Sequence, residues 1–538
     1  MKRNFIKTAF FIAALAFSAP TFSQDKGSSA PQAPITLQWQ HADIMADGKI
    51  GVSSARAYKE LVAGKKPAPI IVAVIDSGTE TFHSDLKNNI WINTDELPGN
   101  GIDDDKNGYI DDMHGWSFLG GKEGDVKEDN LEFTRVYKQL KDRFDGKDAA
   151  SISKADKKDY ERYLQFQKGY ETRTADARAQ KEQFDQFMMV YNMADGMMKG
   201  LTGKDNYTLE DLQAVEAKDE MSKGFKQMMT ELMQQGVLEQ LDAWKEQVES
   251  TLKYSYDLNL DTRKIVGDNY SDVREKNYGN NHVDGPAGEH GTHVAGIIGA
   301  TVNGFGVDGI AQNVKLMVIR CVPAGDERDK DVANSIRYAV DNGAKIINMS
   351  FGKSYSPNKD IVDEAVAYAE SKGVLLIHAA GNDSKNVDKA DNFPTKKYLN
   401  GKSCKTWIEV GASGDTPSQL AAPFTNYGKK SVDVFAPGVD IFSTYTGDSY
   451  KKESGTSMAS PVTAGVAAAV WSFYPNLTAL QLKEILLKSA VPYKKTNVTL
   501  PGSESEENPE GKKIAFGKLS KTGGVVNLYK ALEMAGKI

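Results

Sequence analysis

The stretch Ile70-Ile71-Val72-Ala73-Val74-Ile75, followed at once by Asp76-Ser77-Gly78, constrains the fold most. A continuous, mostly β-branched apolar run without polar alternation reads as a strand covered on both faces, as in a parallel sheet flanked by helices. Similar runs lie at 314–321, 345–350, 374–382 and 407–411, and short ones at 431–436 and 439–444 surround Pro437-Gly438. Amphipathic spacing predicts helices over 54–61, 331–342, 478–490 and 528–535. The pattern gives the α/β class. Asp76 then falls at the C-terminal end of a strand, where α/β sheets present ligand-contacting groups.

Composition excludes some functions. The 538 residues are 40% hydrophobic and 26% charged with a formal net charge of -7, and no basic patch stands out, so nucleic acid is not an expected partner. Met1-Lys2-Arg3 and Lys7 precede a short apolar run, Ala9 to Phe17, and then small residues. That is the layout of a cleaved export signal, with cleavage after Ser23 or Ser18. The expected location is periplasmic or extracellular, with no transmembrane anchor in the mature chain. Two cysteines, Cys321 and Cys404, do not make a disulfide scaffold, and spacing leaves open whether they pair.

Between 121 and 265 the chain becomes charged, rich in Met and Gln, and poor in proline. Phe184, Phe187, Met188 and Tyr191 recur at helical spacing. So do Phe225, Met228, Met229, Leu232 and Met233, and also Val237, Leu241, Trp244, Val248 and Leu252. Each set predicts an amphipathic helix. The methionine stripe reads first as bundle packing and second as an adaptable peptide-binding groove.

Gly455-Thr456-Ser457-Met458-Ala459-Ser460-Pro461 opens a small, apolar run, Val462 to Val470, with the look of a buried helix. A serine there has an unpaired backbone N–H and lies at the positive end of the helix dipole, which suits a nucleophile; a plain capping serine is the alternative. Pro461 is placed in the first turn, where proline is tolerated. Upstream, Glu289-His290-Gly291-Thr292-His293 offers a base, and Asp76 a carboxylate to orient it. The order Asp, His, Ser distinguishes one of the convergent triads. Segments 69–120 and 266–490 resemble the subtilisin-like serine peptidases, the subtilases.

The resemblance implies a three-layer sandwich with a mainly parallel central sheet, interrupted by the helical insertion. It also implies an endopeptidase with Ser457 as nucleophile, His290 as general base, Asp76 as its orienting partner and Asn382 as oxyanion donor. His293 is taken as structural. Ser350, Phe351 and Gly352 would pair with substrate main chain, and Ala380 and Gly381 would line the primary specificity pocket. Asp85, Thr301, Asn303, Phe305 and Val307 would hold Ca²⁺. Independently of the resemblance, Asp103, Asp105, Asn107, Gly108 and Asp111 reproduce the first nine positions of an EF-hand loop, but His114 stands where the closing glutamate belongs. A solvated acidic turn is the alternative. No cofactor is expected for the chemistry, only structural Ca²⁺.

The division expected is a signal peptide at 1–23, an N-terminal extension at 24–68, catalytic parts at 69–120 and 266–538, and the insertion at 121–265. Substrates would be proteins or peptides. A catalytically silent binding protein and an exopeptidase of the same fold stay open. The insertion reads as a lid, an exosite or an internal inhibitor.

Overall fold

The computed structural model describes residues 33–34, 37–238, 241–505 and 507–538. The signal-peptide reading lies outside the described residues.

Among the described residues, nine strands form the main sheet. They are β1 (Ile70–Asp76), β2 (Gly115–Ser117), β3 (Val314–Arg320), β4 (Ile346–Met349), β5 (Leu375–Ala379), β6 (Trp407–Ser413), β7 (Val434–Pro437), β8 (Val491–Pro492) and β9 (Gly524–Val525). Their order is β8-β9-β7-β6-β5-β4-β1-β3-β2. All neighbours are parallel except β8 and β9. Side chains alternate along a strand, and β1 shows what that does here. Val72 and Val74 enter one core with Val294 and Ile297 of the helix Glu289–Gly299 and Val466 of the helix Thr456–Phe473. Ala73 and Ile75 enter another with Ile336 of the helix Asp329–Asp341 and Ile361 of the helix Lys359–Ser371. This is the expected sheet between two helical layers. The strand ends carrying Asp76, Ser350 and Asn382 all open on one edge, the carboxyl edge.

The helix Thr456–Phe473 is apolar on all sides and runs through the core. Between Thr456 and Ser472, Ser457 alone is not fully buried. Pro461 is its sixth residue, past the first turn, which corrects the expectation. A proline there leaves the carbonyl four residues back unpaired. That carbonyl belongs to Ser457, and the Ser350 hydroxyl donates to it at 2.9 Å. The helix thus tolerates an interior proline because Ser350, just past β4, supplies the missing donor.

Asp25–Glu132 and Asp261–Ile538 make one compact unit; Phe133–Leu260 belongs to another. In the first, Trp39, Val52 and Ala57 of the N-terminal stretch join the core, and Ser54–Glu60 is helical. In the second, a helix of 46 residues, Lys157–Thr202, packs with Leu209–Ala214, Glu220–Gln234 and Leu241–Ser250. Met198 and Met229 are wholly buried there beside Phe187 and Phe225, so much of the methionine stripe is bundle core. The third predicted helix is shorter than its pattern, starting at Leu241 and passing into a wider turn at Thr251–Ser255. Cys321 and Cys404 are both free and buried.

Candidate active site

Asp76 ends β1, and His290 is the second residue of the helix Glu289–Gly299. The helix comes this close because residue 291 is glycine: a Cβ there would collide with Gly78 O. His290 Nδ1 donates to Asp76 Oδ1 at 2.7 Å, and the Ser77 N–H donates to the same oxygen at 2.7 Å. Burial opposes charge on the imidazole, but the Asp76 carboxylate, with a smaller contribution from Glu453, raises its pKa to about 9. His293, one turn on, donates to the carbonyls of Ile441 and Lys451, and burial lowers its pKa. It ties the helix to the hairpin Ile441–Glu453.

Ser457 is the second residue of its helix, so its N–H has no partner within the helix. Its hydroxyl donates to Ser350 O at 3.0 Å. Asn382 follows β5 through Gly381, which has φ +99° and sits where a Cβ would strike the Asn426 amide. The Asn382 Oδ1 accepts from Thr456 N at 2.9 Å and Thr456 Oγ1 at 2.8 Å. With its oxygen held on one side, the amide presents Nδ2 on the Gly455 side, 3.3 Å from where a Cβ at 455 would stand. Thr456 Oγ1 also accepts from Gly381 N at 3.0 Å. Sequence reasoning did not single out Thr456. Its only signal was its place between Gly455 and Ser457.

Ser350, Phe351 and Gly352, the residues expected to meet substrate, follow directly on β4. Ser350 is bonded to Ser457 as described, Phe351 O accepts from His378, and Lys353 pairs with Phe393 through both its N–H and its carbonyl. Asn392 Nδ2 donates to the carbonyls of Ala379 and Ala380, fixing the chain just before Gly381.

The two metal expectations are placed differently. Asp85, Thr301, Asn303, Phe305 and Val307 come together: Asp85 Oδ1 accepts from Asn303 at 2.8 Å, and its Oδ2 from Val307 N and Tyr450 OH at 2.9 Å. Thr301 N reaches Asp85 O at 2.7 Å, and Phe305 N the Asn303 side chain at 2.8 Å. In the acidic loop, Asp103 accepts from Asn107 N and Gly108 N, and Asp111 from Asn100 N and Gly101 N. Asp105 faces inward with Glu96 and Asp112, each offering an oxygen within 4.8 Å of the others. Asn107 Nδ2 donates to Asp105 and Asp112, so its amide nitrogen is turned inward. Burial raises the Asp112 pKa to about 6, against hydrogen bonds from Tyr338, Asn93 and Asn107. Three converging carboxylates are a hard-oxygen set that fits Ca²⁺. Glu96 and Asp112 lie outside the loop positions that the motif names, so spacing alone did not reveal them.

A sequence profile of the Subtilase family matches residues 68–513. A thermophilic serine proteinase of Bacillus sp. (strain AK1) is 43% identical over 185 residues, 34% of this chain and 42% of the relative. A thermostable alkaline protease of Halalkalibacterium halodurans is 37% identical over 202 residues, 37% of this chain and 52% of the relative. Subtilisin DY of Bacillus licheniformis is 36% identical over 203 residues, 37% of this chain and 70% of the relative. The matched stretches thus span about half the length of the first two relatives. With a profile match running across most of its length and an α/β sheet that presents Asp76, Ser350 and Asn382 at one edge, the chain belongs to the subtilase family.

Proposed function

We propose that the chain is an exported serine endopeptidase that cleaves proteins or peptides through an acyl-enzyme. The observation that carries the reading is the Asp76–His290 pair at 2.7 Å on the same sheet edge as the helix start that holds Ser457. As substrate enters, the Ser457 hydroxyl turns from Ser350 O to His290 Nε2, gives up its proton and attacks the scissile carbonyl. Asp76 holds the ring tautomer and stabilises the imidazolium. Asn382 Nδ2 and the Ser457 N–H receive the oxyanion at the positive end of the helix. His290 then protonates the leaving amine, and water releases the acyl group by the reverse steps. Substrate main chain lies antiparallel to 350–352, a mode that tolerates many side chains. The small residues Ala380 and Gly381 leave room for the side chain before the cleaved bond.

Ca²⁺ enters this reading as a structural ion. Glu96, Asp105 and Asp112 are the residues we assign to it, with the loop around Asp85 as a second candidate. It takes no part in bond making. Export is proposed from the N-terminal sequence. Among the described residues, no helix is long and apolar enough to cross a membrane.

The test is intact mass after treatment with a fluorophosphonate. One adduct is expected, absent in Ser457→Ala, whose peptide hydrolysis should fall by about 10⁶-fold. An adduct that persists in Ser457→Ala, or unchanged hydrolysis by that variant, overturns the reading.

A further inference from the structure

Beneath the segment 350–353 lies a buried pair that the chemistry above does not use. His378 on β5 stands opposite Glu409 on β6 in the parallel register. Its ring is wholly buried, and Glu409 is 7% exposed. Nδ1 lies 2.9 Å from Glu409 Oε1, and Nε2 lies 2.8 Å from Phe351 O. Trp407 Nε1 donates to the other Glu409 oxygen at 2.8 Å, and the Trp407 ring packs on the imidazole. The charged groups beyond this pair are Asp433, which accepts from the Glu409 N–H, and Lys396 and Lys521, which pair with Asp433.

Phe351 O is a carbonyl and only accepts, so Nε2 must carry a proton. The carboxylate and Trp407 then fix the ring by its other side. In extended chain, successive carbonyls point to opposite edges. Ser350 O faces the Ser457 hydroxyl, Phe351 O faces His378, and the N–H and carbonyl of Lys353 face Phe393. Anchoring Phe351 O on the inner edge turns the polar groups of Ser350 and Gly352 to the outer edge, where a substrate strand would pair.

We propose that His378, oriented by Glu409, is a positioning residue for substrate main chain: it pins Phe351 O and so holds 350–352 in the register that an incoming peptide needs. This rests on the peptidase reading. A chromogenic peptide reaching four residues before the cleaved bond uses the segment; a small fluorophosphonate does not. In His378→Leu, which leaves the buried Phe351 O without its donor, KM for the peptide should rise about tenfold, with kcat and the fluorophosphonate labelling rate within about twofold of the parent. His378→Gln places an amide N–H where Nε2 stood and should restore KM. His378→Asn reaches only towards Glu409 and should not. In Glu409→Gln, Trp407 holds the amide oxygen, the NH₂ group faces Nδ1, and Nε2 keeps its proton, so KM should be unchanged. ¹⁵N spectra of the parent should show a protonated, slowly exchanging Nε2 on His378.

An unprotonated Nε2, equal KM values for His378→Gln and His378→Asn, or equal losses with peptide and probe would overturn the proposal. The Gln and Asn pair decides the matter if the leucine variant does not fold. A parent enzyme that ignores the fluorophosphonate would instead count against the peptidase reading.

Discussion

At the scale of single residues, Thr456 is the instructive case. It spans Gly381 N and Asn382 Oδ1 with one hydroxyl, and its own N–H holds the same amide oxygen. In the proposed mechanism, where Asn382 is the oxyanion donor, these bonds make Thr456 a positioning residue for it. Thr456→Val keeps the backbone bond and the side-chain volume but removes the hydroxyl. One hydrogen bond is worth about 0.5–1.5 kcal/mol net, so kcat should fall about 3–10-fold with KM little changed. Steady-state kinetics on one peptide checks this; a rise in KM alone would place Thr456 in ground-state binding. Asn382→Ala removes the donor itself and should cost about 10²–10³ in kcat. Asp76, His290 and Ser457 could be named as candidates from sequence because each lies in a local motif on the end of a strand or helix. Thr456 and His378 were not, since what marks them is a partner far away in the chain.

At the scale of elements, the loop 93–113 shows how a motif and its geometry part company. The EF-hand spacing points to Asp103, Asp105, Asn107 and Asp111. In the folded loop Asp103 and Asp111 cap backbone N–H groups, Asp111 at φ +52°, while Asp105 turns inward to meet Glu96 and Asp112. A short acidic loop needs its N–H groups satisfied, and local carboxylates do so first. Ca²⁺ at a hundred times its Kd would stabilise the native state by about 2.7 kcal/mol. Calorimetry should show Tm rising with Ca²⁺, falling back with a chelator, and insensitive to either in Asp105→Asn. An equal response in Asp105→Asn would move the ion elsewhere. The interior proline of the Ser457 helix is a similar lesson: the turn is tolerated because of Ser350, which is 107 positions away.

At the scale of the whole molecule, the pH dependence follows from the His290–Asp76 pair. In the proposed mechanism His290 acts as the base only when neutral, and the Asp76 carboxylate raises its pKa to about 9. The acid limb of kcat/KM, which reports the free enzyme, is therefore expected near pH 9. Stability runs the other way. A histidine whose folded pKa lies above its ordinary 6.5 contributes fully below 6.5 and loses that contribution as pH rises through about 9. Asp76→Asn should move the limb to lower pH while kcat drops by about 10⁴-fold, as the orienting charge is lost. A limb that stays put in Asp76→Asn would assign it to another group. Phe133–Leu260 has a hydrophobic core of its own, so its helices are stabilised by contacts within that unit.

The sequence by itself determined the sheet, its flanking helices and the family. These rest on short-range patterns: an apolar run of strand length, a 3.6-residue stripe, a nucleophile motif at a helix start. Tertiary structure alone decided which carboxylates converge in the acidic loop, which hydroxyl holds Asn382 and which donor sits under Phe351 O. Each of those depends on strand register or on the path of a loop, and a polar side chain in sequence carries no mark of the partner it will face.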